Sequence, residues 1–405
     1  MSNGHSLPST PFTADATNIL TNDVSDVTII ITAVTNAATT AGGTITIGTD
    51  GKFTYSPPNG STTADSYVYT GTSNGVSATA TINFTIANMV WYVNNTYAGA
   101  NGTANGNSHR PYTAVDAAAT ASAINQTIYV HTGSGNTNGN ALLKSGQTLR
   151  GAGNALTLGA LSIVAGMKPT LAGMITLANN VVVDGFGMNT GATAAITSTG
   201  ATNVTVSISS IITSGAANAV NLNTTTGSIT ISGGTLSGGT GSVFNVSGGS
   251  ANIMCSASIS QATASQRAIN IASATGGTIT FNGAITSSGT STGINLATNT
   301  GATINFTGLL TLSTSTNAAF TATGGGTISS TNSGSTITTT TATALNVTNT
   351  TIGASNLDFQ SISSNGGSAT GIILDNTGAS GGLTVNGDGG NTSLGGNGTG
   401  GSITN

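Results

Sequence analysis

The chain has 405 residues, 59 of them glycine, and only 4% are charged, against about 25% in an ordinary domain. Its net charge of −4 excludes the basic footprint of a nucleic-acid binder, and no stretch reaches the roughly 18 apolar residues of a membrane span. Glutamate is absent, so all ten acidic side chains are aspartates. Low charge with much Gly and Ser is also the composition of disorder, but the 37% apolar fraction recurs with a period that disorder lacks.

Residues 1–10 are polar and read as a flexible segment without the apolar core of a signal peptide. Residues 11–88 carry strand-like runs at 27–31 (VTIII), 43–47 (GTITI), 52–55 (KFTY), 66–69 (SYVY) and 78–86 (ATATINFTI). Asp50-Gly51 and Asn74-Gly75 between them are hairpin turns. Short strands at this spacing predict an antiparallel sandwich. Residues 89–126 hold WYV at 91–93, a Gly/Asn-rich loop and one short Ala-rich helix at 112–121 (YTAVDAAATA), and read as a linker with a capping helix. TIYV at 127–130 and GQTLRG at 146–151 open the next region.

From residue 219 a repeat of about 25 residues takes over. Its copies begin AVNL at 219, VFNV at 243, AINI at 268, GINL at 293, ALNV at 344 and GIIL at 371, with a degenerate copy near Ala318-Ala319-Phe320. A fixed period of this size means a solenoid. One copy shows how it closes. Ile269 and Ile271 flank Asn270; Thr278-Ile279-Thr280-Phe281 alternates polar and apolar; Ala284-Ile285-Thr286 makes a third short beat. Period-two alternation is the strand signal, so each copy predicts three short strands and one triangular coil. Stacking puts Ile, Leu, Val and Phe in columns inside, and Asn, Thr and Ser outside. Cys255 takes the inward place of Phe281 in its coil and reads as a small buried residue; a lone cysteine fits a secreted bacterial protein. The chain ends mid-pattern, with no polar cap of the kind solenoids need, and reads as a piece of a longer or processed protein. The expected fold class is all-β, with a sandwich over 11–88 and a parallel β-helix of about eleven coils over 127–405.

Two resemblances sharpen this. NILTNDVSD at 18–26, GTITI at 43–47, DGKFTYSP at 50–57, ADSYVY at 64–69 and the run at 78–86 resemble the cadherin-like, Ig-like tandem modules of large bacterial surface proteins. The resemblance implies a spacer module of an adhesin. Some relatives bind calcium at module junctions, for which Asp15, Asp23 and Asp26 are the candidates here. The helix followed by TIYV, GQTLRG and VVDGF at 182–186 resembles the entry to pectin-lyase-like right-handed β-helices, and GGLTVNGDGG at 381–390 resembles coils of very large bacterial surface proteins. That second resemblance implies a right-handed solenoid with the helix capping its first coil. It implies no activity, because the fold hosts enzymes, adhesins and inert shafts alike.

The titratable residues make a thin case for catalysis. The solenoid has Asp184, Asp358, Asp375 and Asp388, with Lys144, Arg150, Lys168 and Arg267. Lyases need clustered carboxylates and a base, and hydrolases need a carboxylate pair. Asp184 and Asp358 lie about seven coils apart, roughly 35 Å at the inter-strand spacing. His109 and His131 lack the companions of a metal site. No enzyme and no cofactor is expected. The outward ladder is the candidate surface: Asn221, Asn245, Asn270, Asn295 and Asn346 in one row, Thr230, Thr278, Thr280, Thr303 and Asn305 in two others. Such rows serve adhesion or assembly; a carbohydrate- or ice-binding face is the alternative, and Met254 interrupts it at Thr280's place. Sequons such as Asn305-Phe306-Thr307 follow from composition. The expectation is an extracellular structural or adhesive protein that self-associates, head to tail between copies, or meets a glycan or cell-surface partner.

Overall fold

The computed structural model describes residues 12–13, 18–20, 27–58, 64–85, 89–100, 102–158, 161–190, 194–207, 210–213, 218–388 and 399–404. The chain forms two compact units, residues 1–138 with 147–169, and residues 139–146 with 170–405.

The first unit begins with two antiparallel sheets. One orders the strands Phe12–Thr13, Phe53–Ser56, Thr44–Ile47 and Val34–Ala38; the other orders Ile30–Ile31, Asp65–Ser73 and Val76–Phe84. Alternation puts Ile31, Ile45, Ile47, Tyr55 and Phe84 between them, all buried. Tyr55 and Phe84 stack with centroids 3.8 Å apart. Asn74 and Gly75 both take positive φ, 49° and 78°, which is the two-residue turn whose twist suits a hairpin. The strand Val34–Ala38 does not alternate in sequence. Its ladder shifts between Val34 and Ala37, where Asn36 has φ 49°, so a bulge hides the period. Asp65 is buried in this unit. Its carboxylate accepts hydrogen bonds from the Thr39 hydroxyl, the Tyr55 phenol at 2.8 Å, and the backbone N–H groups of Ala41 and Ser66 at 2.7 and 2.8 Å. Burial works to raise its pKa, but these donors outweigh burial and hold the carboxyl below its ordinary value.

Also in this unit, Val90–Val93 pairs parallel with Thr127–Val130, which pairs parallel with Thr148–Gly151. Parallel laddering therefore starts at Val90, inside the stretch that reads as linker. The run escapes alternation because both its faces are buried. Tyr92 packs with Tyr129, Ala152 and Leu156, and with Leu158, Leu161 and Ile163 of an antiparallel hairpin. The helix Val115–Ala121 packs against the same strands and buries Val115, Ala118 and Ala119.

The second unit is the solenoid, with three parallel sheets that take one strand each from every coil. Among the described residues its asparagine sheet holds ten strands, so there are about ten turns rather than eleven. Leu156–Leu158 and Leu161–Ile163 pair as the antiparallel hairpin and add no turn. Ile279 and Phe281 pair in register with Ile304 and Phe306, and all four are buried. The interior balances volume within each layer. Phe244 shares its coil with Cys255, Ile269 with Phe281, Ile294 with Phe306, and Phe320 with Ser330. Each of these layers holds one aromatic ring. Phe281 and Phe306 stack at 5.4 Å, while Phe244 and Phe320 meet them edge-on at 5.2 and 5.7 Å. At one corner, a Cβ on Gly308 would lie 2.1 Å from the Gly283 carbonyl oxygen, and one on Gly283 2.0 Å from that of Ala257. The coils approach there too closely for any side chain.

Candidate binding face

In the asparagine sheet the strands Val220–Asn223, Phe244–Ser247, Arg267–Ala272 and Thr292–Ala297 bring Asn221, Asn245, Asn270 and Asn295 into one row. Each lies between inward neighbours on its strand, because side chains alternate across a strand. Each amide donates to the one before it: Asn245 Nδ2 to Asn221 Oδ1 at 2.8 Å, Asn270 to Asn245 at 2.7 Å, Asn295 to Asn270 at 2.8 Å. An amide has two N–H donors and two carbonyl lone pairs, so each inner link of the chain spends half of its capacity on its neighbours. Asn346 stands outside the chain. Thr321 separates it from Asn295, and its Oδ1 accepts from the Thr348 hydroxyl instead, at 2.8 Å.

The second sheet carries Thr278, Thr303, Thr327 and Thr351 in one register row, continuing Ser228 and Asn252. Beside it run Thr230, Met254, Thr280, Asn305 and Ser329. Met254 is 46% exposed and breaks that row, while Ser329 donates to Asn305 at 2.7 Å. The third sheet has a row the sequence reading left out: Ser260, Thr286, Thr311, Thr336 and Ser361. Its signal was the third beat of each coil, which alternates over Leu310–Ser315.

Asn270→Ala deletes two links of the amide chain in a half-buried site. We expect a loss of about 1–3 kcal/mol, at about 0.5–1.5 kcal/mol per bond, and about half of that for Asn346→Ala, which has one such bond. Denaturant unfolding of both variants measures the difference. Equal losses would mean that the two links at Asn270 contribute no more than the one bond at Asn346.

None of the described titratable side chains falls in these rows. Asp184 and Asp358 are separated by seven ladder steps of one sheet, roughly 35 Å. Asp375 ends the strand Ile372–Asp375 and is exposed, as is Asp388 beyond Leu383–Val385. His131 stacks against Tyr92 and meets Tyr129 edge-on, and burial pushes its pKa down. Arg150 donates to the Ala155 carbonyl at 3.0 Å. Burial pushes the Cys255 thiol up to about 12, which makes it an inert core residue. Among the described residues, no three His, Cys, Asp or Glu side chains come together as a metal site would require. Asp15, Asp23 and Asp26 lie outside the described residues.

The two-sheet core of the first unit has a counterpart among known families. Residues 6–85 match the bacterial Ig domain. The match covers the Ig domain's seven described strands and stops before the parallel ladder begins at Val90. No curated protein and no solved structure gives a significant match to the chain. Among the described residues, no helix is long and apolar enough to cross a membrane. A bacterial Ig domain joined to a β-solenoid fits a surface or structural protein.

Proposed function

We propose that this chain is a non-catalytic part of an extracellular bacterial surface structure, with the Ig domain as spacer and the solenoid as an adhesive shaft. The observation that carries the reading is the set of uncharged polar rows repeated coil after coil on all three sheets. Asn, Thr and Ser do not titrate near neutral pH, and general acid–base chemistry needs a titratable group within hydrogen-bond reach of its target. Repeated weak hydrogen bonds at about 4.8 Å spacing instead suit a repetitive partner, where many sites engage together. A polymer of the cell surface or a sister subunit has that repetition.

Incubating the protein with pectin, alginate or a related polysaccharide, with and without calcium, is expected to release no reducing or unsaturated sugar. Release abolished by Asp184→Ala or Asp375→Ala would overturn the reading. A second reading, a glycan- or ice-binding face, draws on the unbroken Thr278, Thr303, Thr327 and Thr351 row. Glycan-array binding or thermal hysteresis lost in Thr303→Val would favour it.

A further inference from the structure

The hairpin Asp65–Ser73 and Val76–Phe84 is the longest in the Ig domain, and only part of it is used by the core. Residues 76, 78, 80, 82 and 84 share one face of the second strand. Phe84 and Ile82 on that face join the core. Val76, Ala78 and Ala80 run past it and, with Ile29, Ile31, Tyr69 and Gly71, line an open groove of about 180 Å³. Val76 is 73% exposed, and every residue from 76 to 81 is exposed. Among the described residues, this strand is the outer strand of its sheet, with Asp65–Ser73 on one side only.

Long outer strands normally carry Lys, Pro or a bulge, because an uncharged edge templates pairing with another chain. VSATATINF has no charge and no proline, and its ladder with Asp65–Ser73 runs nine residues without a bulge. Its sequence is also self-complementary. If the strand is laid antiparallel on a second copy of itself about Ala80, Val76 faces Phe84, Ser77 faces Asn83, Ala78 faces Ile82, Thr79 faces Thr81, and Ala80 faces itself. Apolar meets apolar and polar meets polar throughout, and the Thr–Thr pairs are favourable cross-strand neighbours. Directly opposed residues point to the same side of an antiparallel pair, so Val76, Ala78, Ala80, Ile82 and Phe84 of both copies form one apolar strip.

We propose that Val76–Phe84 is a homodimerisation edge that pairs antiparallel with the same strand of a second copy, making one six-stranded sheet across a two-fold axis. Such a contact is isologous and closes at two. It differs from the head-to-tail contact expected from the sequence, which would grow open filaments.

The test uses single cysteines in the full chain under mild oxidation. Ala80→Cys places the new thiol opposite its own mate, at about 4.5–5.5 Å between Cα atoms, inside the disulfide window of about 4.4–6.8 Å. Ser77→Cys places its mate about 20 Å away along the strand. Cys255 is buried and does not compete. Ala80→Cys should cross-link to a dimer and Ser77→Cys should not. Multi-angle light scattering should give a dimer for the parent chain and a monomer for Thr79→Lys/Thr81→Lys, with melting of the Ig domain unchanged once the monomer is compared at equal dilution. Cross-linking of both cysteine variants or of neither, species larger than a dimer, or a parent chain monomeric at tens of micromolar would each overturn the proposal.

Discussion

Phe281→Ala is expected to destabilise the solenoid by about 3–5 kcal/mol, the range for deleting a buried aromatic ring. The ring is buried, stacks on Phe306 and takes Phe244 against its edge. The volume balance explains why the cost falls at the upper end. The neighbour in register on one side is Cys255 and the partner in the same layer is Ile269, so on those two sides no aromatic ring stands by to fill the space. Stability in a solenoid is close to a sum of coil and interface terms. The loss should therefore appear as faster amide exchange in the coils around Thr278–Phe281 and fade with distance along the stack. A loss below about 1 kcal/mol, or exchange raised evenly over the whole unit, would mean that the layers do not carry the stability assigned to them.

Asp65→Asn is expected to destabilise the Ig domain by about 2–4 kcal/mol at neutral pH, because hydrogen bonds to a charged group contribute about 1.5–3 kcal/mol each and the amide keeps only some of them. The mutation also removes a pH dependence. Asp65 has a folded-state pKa below its ordinary value. Its contribution is thus fully present above the unfolded pKa of about 3.9 and is lost as pH falls through the lower folded value. The melting temperature of the parent Ig domain should drop on acidification below about pH 4, while that of Asp65→Asn drops less. The two curves should converge in strong acid. Parallel curves would show that the carboxylate is not the group these donors stabilise.

The repeat made the solenoid legible because every coil must present inward apolar side chains at period two, and a 25-residue period leaves few other folds. The amide chain was legible for the same reason, since an Asn between two inward residues has one direction to point. Its break at Asn346 was not, because the degenerate copy at 318–320 places Thr321 in the row. Val90–Val93 was missed because a strand buried on both faces carries no alternation. Asp65 was missed for a different reason. In ADSYVY it looks like a strand-end aspartate, and its meaning lies in Thr39 and Tyr55, which are 26 and 10 residues away. Pairing that remote is set by the fold and not by the local pattern. The hairpin turns at Asp50-Gly51 and Asn74-Gly75 were readable because positive φ there restricts the choice to few residues.

The one ring per layer between Phe244 and Ser330 has a consequence for how the solenoid can change length. Ile269 and Ile294 occupy the same place one coil apart, so excising residues 269–293 would set Phe244 beside Ile294 and Cys255 beside Phe306, the same kind of neighbours each has now. The excision removes a ring together with the space it fills, so it leaves neither a hole nor a clash. A gene that gains or loses one 25-residue unit would then lengthen or shorten the protein by about 4.8 Å while keeping each remaining layer filled. Reach becomes a quantity that recombination between repeats can tune in steps, independently of the residues that hold any one layer together.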